Sequence, residues 1–224
     1  MATKRALILA GRGRYEDPWH DHAALSHEIA LLLEEMGIGA EVRSMFRDSF
    51  TDLEEVDLLI VNGGTGRIDP DFDGDDEAWE PVRRAVDDYA FAGRPLLVHH
   101  QGINAFLDNP RWREIVGGRW IRGTTYHPEI SDGVWTPVAG SHPIVEGLGP
   151  LHVYDERYTL LDVEPGSTVI LTQYEAGADH PAAWVNTAGG VRSVYDSLGH
   201  DLSSMRNLER RELLRREVRW LVES

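Results

Sequence analysis

The most informative absence from this chain of 224 residues is cysteine, of which it has none. A protein without thiols forms no disulfide, has no thiolate metal site and cannot use a thiol nucleophile. Positive charge is also scarce, because 22 Lys and Arg residues stand against 38 Asp and Glu residues, for a formal net charge of −16. Nucleic-acid affinity comes mainly from Lys and Arg clusters, so we expect no nucleic-acid partner and favour a small-molecule ligand.

Long apolar runs are missing as well. No segment approaches the roughly 18 consecutive apolar residues of a transmembrane helix, and the first apolar run covers only Ala6 to Ala10. We therefore expect a cytoplasmic protein with no membrane partner. An apolar content of 42% suffices for one substantial core, and we predict a single domain over residues 1–224. Whether it forms a homo-oligomer is left open.

Short apolar runs alternate with helical patterns in the first half of the chain. We predict strands at residues 5–10, 40–44, 57–62 and 95–99, and helices at residues 24–36 and 77–91. This alternation indicates an α/β fold with a doubly wound, mostly parallel sheet and helices on both faces. The second half adds extra β-strands at residues 133–138, 151–159, 168–173, 182–186 and 191–195, before a terminal helix at residues 208–222.

Ligands of such sheets bind beyond the carboxyl ends of the strands, so the residues that follow each strand are the first candidates for a site. Four segments qualify: residues 11–22, 63–66, 99–102 and 199–201. They contain several His and acidic side chains, which suit either general acid–base catalysis or a zinc-type ion.

One of these segments resembles the strand and elbow of the class I glutamine amidotransferases. In Gly93-Arg-Pro-Leu-Leu-Val-His-His-Gln-Gly102, Gly-x-Pro leads through apolar residues to a position where those enzymes have Cys-x-Gly. His100 takes the place of the cysteine, so we expect no glutaminase activity. Asp57-Leu-Leu-Ile-Val-Asn-Gly-Gly64 is similar to the strand and Gly-Gly loop that supply an oxyanion hole in that superfamily.

The second half resembles the ThuA-like (trehalose utilisation) family in particular. Four motifs occur in the order of that family: Ser141-His-Pro-Ile-Val-Glu-Gly-Leu148, Tyr154-Asp-Glu-Arg-Tyr158, His180-Pro-Ala-Ala-Trp184 and Gly189-Gly-Val-Arg-Ser-Val-Tyr-Asp-Ser-Leu-Gly-His-Asp201. Two departures stand out. The elbow has two adjacent histidines, and the arginine of the last motif is displaced to position 192.

The resemblance implies a role in the catabolism of trehalose or of a keto sugar derived from a disaccharide, with a sugar as the partner. It implies catalytic roles for His100, His200, Asp201 and Glu156, and substrate-binding roles for His22, Gly64, His99, His127, Asp155 and Trp184. Trp19 is a further candidate for stacking on a sugar. Which of His99 and His100 faces the site stays open. The alternative is a non-catalytic sugar-binding or assembly module on the same fold.

A separate pattern lies in Asp69-Pro-Asp-Phe-Asp-Gly-Asp-Asp-Glu-Ala-Trp-Glu80. Asp69, Asp71, Asp73 and Glu80 occupy the first, third, fifth and twelfth positions of a calcium loop, with Gly at the sixth. A calcium ion is therefore one cofactor hypothesis, beside zinc at the histidines. The alternative is an exposed acidic loop whose last carboxylates favour the N-terminus of the next helix.

Overall fold

The computed structural model describes residues 4–223. A nine-stranded sheet forms its centre. Its strands are β1 (Arg5–Ala10), β2 (Gly39–Ser44), β3 (Leu58–Asn62), β4 (Pro95–His99), β6 (Ser131–Pro137), β7 (Leu151–Asp155), β9 (Ser167–Glu175), β10 (Ala178–Asn186) and β11 (Arg192–Asp196). They lie side by side in the order β2-β1-β3-β4-β11-β10-β9-β6-β7. Two short strands, β5 (Gly118–Arg119) and β8 (Asp162–Val163), pair separately.

Five neighbouring strands, β2, β1, β3, β4 and β11, run parallel. Residues 58–61 of β3 are fully buried, as expected for a central parallel strand that is covered on both faces. The predicted doubly wound α/β sheet is confirmed, and the strand order reverses between β1 and β3. In folds of this kind that reversal opens a crevice at the carboxyl edge of the sheet.

Helices cover both faces of the parallel half. On one face α1 (His22–Glu35) and α6 (Leu208–Glu223) bury a cluster that includes Ile8 and Leu97. On the other, α3 (Glu80–Phe91) and α4 (Trp112–Val116) pack over Leu7 and Val98. The alternation of side chains along a strand places these neighbouring apolar residues in two separate cores.

The extra strands of the second half extend the sheet in antiparallel fashion from β11 through β10, β9 and β6 to β7. The strand predicted at residues 151–159 ends at Asp155, because the backbone then turns into the carboxyl edge of the sheet. Two short helices were not predicted, α2 (Pro70–Asp73) and α5 (Leu202–Arg206). Within residues 4–223 no helix is long and apolar enough to cross a membrane.

Candidate active site at the carboxyl edge of the sheet

Four loops meet at the carboxyl edge of the sheet and bring together side chains that are far apart in sequence. They follow β1, β4, β7 and β11, and supply His20, His100, Glu156 and His200 respectively. One nitrogen or oxygen atom from each of the four lies within 4.8 Å of the others. We call these four residues the histidine–glutamate cluster.

The elbow after β4 places His100 in this cluster. His100 has a φ of +46° and begins a 3-10 turn over His100–Asn104. Its side chain is buried, and Nδ1 lies 2.6 Å from the carbonyl oxygen of Ser197. A carbonyl oxygen only accepts, so Nδ1 carries the proton, and in the neutral imidazole Nε2 has the lone pair. Gly102 allows the turn, because a Cβ there would lie 2.6 Å from the carbonyl oxygen of Val61.

His20 is held in the same way by Asp17. Its Nδ1 lies 2.7 Å from Asp17 Oδ1, which also accepts the backbone N–H groups of Trp19 and His20. Burial alone would raise the pKa of Asp17, yet the hydrogen bonds from His20 and His22 hold it well below its ordinary value. Burial lowers the pKa of His20, and Asp17 only partly opposes this effect. His20 is therefore a neutral imidazole with its proton on Nδ1.

Glu156 and His200 complete the cluster. The Nδ1 atom of His200 lies 3.0 Å from His20 Nε2 and 3.3 Å from Glu156 Oε1, and His100 Nε2 lies 3.1 Å from His20 Nε2 and 3.5 Å from Glu156 Oε2. Burial raises the pKa of Glu156, but the neighbouring rings of His100 and His200 outweigh it and hold the pKa well below its ordinary value. Burial lowers the pKa of His200, but Glu156 outweighs it and raises the pKa.

Asp155 holds the loops of the cluster in place. Its buried carboxylate accepts backbone N–H groups of Gly199 at 2.7 Å, His200 at 3.1 Å and Glu156 at 2.8 Å, and also the hydroxyl of Ser204. All four hydrogen bonds come from the protein itself. We expected Asp155 to bind substrate; the structure instead makes it a positioning residue for Glu156 and His200.

Gly199 lies in this loop with a φ of +115°, and a Cβ there would lie only 2.2 Å from His99 Nε2. Gly199→Ala is therefore expected to lower the free energy of unfolding by about 3 kcal/mol, through strained backbone and overpacking together. Urea denaturation measures the change. Gly147→Ala is the control, since Gly147 also has a positive φ but no neighbour within 4 Å of the new Cβ. Equal losses in the two variants would refute the contact with His99.

The accessible side of the cluster is bordered by aromatic and imidazole rings. Tyr158 stacks on His100 and its hydroxyl lies 2.9 Å from His100 Nε2. His127 Nδ1 lies 3.5 Å from Glu156 Oε1, and its side chain is 39% exposed. Trp120 contacts Tyr158 edge to face, and Trp19 is largely exposed. His127 therefore lies beside the histidine–glutamate cluster, and its role in binding substrate stays a prediction.

Three residues that we expected to bind substrate lie behind the cluster. His99 is fully buried, its Nδ1 lies 3.3 Å from Asn62 Oδ1, and burial holds its pKa well below the ordinary value. His22 is buried 3.4 Å from Asp17 Oδ2. Gly64 donates its amide to the carbonyl oxygen of Tyr15 at 2.7 Å, so that N–H is not free for an oxyanion. Of the two elbow histidines, His100 is the one that enters the cluster.

Trp184 and Asp201 have structural roles in place of the expected functional ones. Trp184 is fully buried, packs on Tyr195 and donates its indole N–H to the carbonyl oxygen of Val116, so neither face is open to a sugar. Asp201 caps the N-terminus of α5 by accepting the amides of Ser203 and Ser204. Glu156, and not Asp201, lies within reach of the His200 ring.

The acidic loop does not have the geometry of a calcium site. Asp69 caps the short helix α2, and Asp71 lies inside it. Asp73 is buried and accepts the backbone N–H of Arg14 at 2.9 Å, while Glu80 pairs with Arg83. Among residues 4–223, the groups of side chains that could hold a metal do not include these four carboxylates. Helix formation and two arginines therefore keep the four carboxylates from meeting at one point in this structure.

A buried charged group lies under the loop after β11. Arg210, Asp196 and Glu217 have no exposed surface, and Arg210 pairs with Asp196 at 2.8 Å. Asp196 in turn accepts the amide of Leu198 at 2.9 Å, directly beside the carbonyl of Ser197 that fixes His100. One arginine faces two carboxyl groups. Burial raises the pKa of Glu217 well above its ordinary value, and the charge of Asp196 adds to this effect.

Glu217 should make the free energy of unfolding depend on pH. Because its pKa is raised in the folded state, the folded protein holds a proton that the unfolded chain releases, so stability falls as pH rises above 4.5 towards the raised pKa. Glu217→Gln removes this loss, and its stability advantage over wild type is expected to grow between about pH 5 and about pH 8. Urea denaturation across that range tests it, with exposed Glu223→Gln as control. Parallel profiles for wild type and Glu217→Gln would show that Glu217 is ionised.

Sequence reasoning missed His20, Asp17, Ser197 and the role of Tyr158. The pattern Asp17-Pro-Trp-His-Asp-His22 held a signal, because two histidines alternate after an acid in a segment already expected at the sheet edge. Only the geometry shows that the first of them faces the elbow. The contact from Ser197 comes from a backbone carbonyl, for which side-chain patterns give no indication.

Comparisons with known proteins agree with this architecture. A putative ThuA-like protein from Parabacteroides merdae superposes with a TM-score of 0.80 at 17% identity, over 99% of this chain and 90% of that one. One from Bacteroides uniformis gives 0.75 at 17% identity, over 98% and 91%. A glutamine amidotransferase from Thermotoga maritima gives 0.63 at 13% identity, over 100% of both chains. At these identities the likeness concerns the fold alone.

A search of the curated proteins finds no match to this chain. The family model described as ThuA, trehalose utilisation, matches residues 5–221, which is nearly the whole sequence. The chain therefore belongs to the ThuA family.

Proposed function

We propose that this protein is an enzyme of carbohydrate catabolism that transfers a proton at a carbon next to the carbonyl group of a keto sugar. Family membership supports a sugar as the substrate class, since the family is described by trehalose utilisation. The observation that carries the chemistry is the convergence of three imidazoles and one carboxylate, from four separate loops, at the carboxyl edge of the sheet. Such a group suits proton transfer, and because the chain has no cysteine we propose that it has no glutaminase activity.

His200 is the proton-transfer residue in this proposal. Its Nδ1 faces Glu156 and His20, whereas its Nε2 makes no hydrogen bond to any residue between 4 and 223. The Glu156 carboxylate favours a proton on Nδ1, which leaves a lone pair on Nε2. The side chain is 18% exposed, the most open of the three clustered imidazoles.

The step conserves atoms and electrons without an added oxidant. The C–H bond beside the carbonyl breaks, its proton moves to His200 Nε2, and its electron pair forms a C=C bond as the carbonyl oxygen becomes negative. Return of the proton to carbon or to oxygen regenerates the neutral imidazole. His127 lies 3.5 Å from Glu156 of the same cluster, and Trp19, next to His20 in sequence, offers an exposed apolar face on which a sugar ring can lie.

Product analysis with a panel of disaccharides and their keto derivatives tests the proposal. We expect the wild-type protein to convert at least one keto disaccharide and His200→Gln to lose this turnover. His152→Gln is the matched control, since His152 is an exposed histidine on β7 whose side chain is 68% accessible. Both variants should keep the melting temperature of the wild type to within a few degrees.

The competing hypothesis is a non-catalytic module that binds a sugar. Calorimetry with the same panel separates the two hypotheses. Binding by the wild-type protein without any product after long incubation would establish the module and overturn the enzyme. Turnover that survives in His200→Gln would show that the reaction takes place without the residue to which the proton is assigned.

A further inference from the structure

The two innermost histidines of the cluster face each other with lone pairs. Asp17 fixes the proton of His20 on Nδ1, and the Ser197 carbonyl fixes that of His100 on Nδ1. The two Nε2 atoms, both acceptors, lie only 3.1 Å apart. The two lone pairs point towards one shared space, which is bordered by the Tyr158 hydroxyl, 2.9 Å from His100 Nε2, and by His200 Nδ1, 3.0 Å from His20 Nε2.

A carboxylate oxygen completes this arrangement. Glu156 is 6% exposed, and its buried Oε2 has no hydrogen-bond partner among the described residues, although it lies 3.5 Å from His100 Nε2. A buried carboxylate oxygen without a partner is costly. We propose that His20 Nε2, His100 Nε2 and Glu156 bind a divalent first-row transition-metal ion of the zinc type.

The distances fit such an ion. Ligand atoms about 2.0–2.1 Å from zinc in tetrahedral geometry lie about 3.3 Å from one another. The observed separations of 3.1 Å between His20 and His100 and 3.5 Å between His100 and Glu156 lie on either side of that value. Two imidazoles and one carboxylate also form the usual three-ligand set of a catalytic zinc site, which keeps a fourth position open.

The surroundings of the two imidazoles match those of metal ligands. A ligating histidine usually donates its other ring N–H to a carboxylate or a backbone carbonyl, which fixes its tautomer. Asp17 supplies the carboxylate for His20, and Ser197 supplies the carbonyl for His100. Imidazole ligands disfavour calcium and magnesium, which take oxygen ligands.

His200 lies beside this site. Its Nδ1 comes within 3.0 Å of His20 Nε2 and 3.3 Å of Glu156 Oε1, whereas its Nε2 makes no hydrogen bond to a described residue. This inference rests on the proposed function for the role of the ion, which is to polarise the carbonyl group of the keto sugar while His200 transfers the proton. The binding of the ion itself is independent of any sugar.

Metal titration of the purified full-length chain tests the inference. After removal of metals with a chelator, we expect zinc chloride to bind with one ion per chain in calorimetry, and cobalt chloride to give the visible absorption bands of a four-coordinate site. His100→Gln should abolish both signals. Asp17→Asn should weaken zinc binding about 10- to 100-fold, since it removes only the partner of a ligand. His200→Gln and the control His152→Gln should keep one ion per chain.

Failure to bind a stoichiometric ion, or zinc binding unchanged in both His100→Gln and Glu156→Gln, would overturn the metal site. Circular dichroism confirms that each variant is folded. The zinc affinity of Asp17→Asn provides a second test of the site, because this substitution does not alter the elbow after β4. The outcome is separable from the proposed function. Turnover of a keto sugar by metal-free protein would reject the role of the ion in the reaction and keep the enzyme. Zinc binding without turnover of any sugar would keep the metal site and reject the enzyme.

Discussion

Glu156→Gln is expected to reduce kcat/KM for the keto sugar about 10³-fold, within the range of a lost acid–base component. The amide has the shape of the carboxylate but not its charge. Glu156 lies 3.3 Å from His200 Nδ1 and its charge raises the pKa of His200, so the substitution makes that imidazole a weaker base. Steady-state kinetics on the substrate found in the panel measures the effect.

The matched control for this experiment is Glu146→Gln, which makes the same change at an exposed position after a 3-10 turn. Its kcat/KM should equal that of the wild type. Thermal denaturation shows whether a loss of activity in Glu156→Gln comes from unfolding. We expect the fold to stay intact, because the substitution removes one buried charge without changing the side-chain volume. A fall of less than tenfold in Glu156→Gln would show that Glu156 is not essential to the chemistry.

Arg210→Met is expected to lower the free energy of unfolding by about 3–5 kcal/mol, the usual cost of removing one partner of a buried ion pair. Arg210 is fully buried between Asp196 and Glu217, with its guanidinium 2.8 Å from Asp196. Without it, two buried carboxyl groups face each other and Asp196 loses its counter-ion. Urea denaturation at neutral pH measures the change.

Arg219→Met is the control for this substitution, since Arg219 lies on the same helix with its side chain 56% exposed. A change of less than about 1 kcal/mol is expected there, as for other exposed ion pairs. If Arg210→Met were no more destabilising than Arg219→Met, Asp196 and Glu217 would both be protonated in the folded protein, which would contradict an ion pair between Arg210 and Asp196.

The parallel half of the sheet was predictable because its strands are buried on both faces. Residues 58–61 and 96–98 form unbroken apolar runs that are followed by Asn62 and His99, and the structure places both runs in the centre of the sheet. Topology then explains why His200 lies near the elbow. Asp196 pairs with His99 in neighbouring parallel strands, so the loops after β11 and β4 leave the same edge.

Side-chain direction was much less predictable than position along the chain. His99 and His100 are adjacent, and only the positive φ of His100 turns its ring into the cluster while His99 stays buried. The sequence suggested Asp201 as the partner of His200. In the structure the Asp201 carboxylate instead accepts backbone N–H groups at the N-terminus of α5. Local hydrogen bonds of this kind compete with function for the same polar groups.

The calcium-loop pattern shows a related difficulty. The spacing of its carboxylates matched a calcium loop at every ligand position. Spacing alone does not determine the backbone conformation that would bring these carboxylates to one point. Pro70 instead begins a helical turn, and Arg14 pairs with Asp73. Arg14 lies 59 residues away in sequence and its contact depends on the tertiary fold.

Proton exchange in deuterated water tests the central claim most directly. A keto disaccharide is incubated with the wild-type protein in D₂O and followed by proton nuclear magnetic resonance. We predict that the signal of the hydrogen on the carbon next to the carbonyl disappears as deuterium replaces it, faster than in buffer alone, and that His200→Gln abolishes the difference while His152→Gln preserves it. Conversion of the sugar with that hydrogen fully retained, or exchange at the same rate in His200→Gln, would contradict proton transfer by the histidine–glutamate cluster.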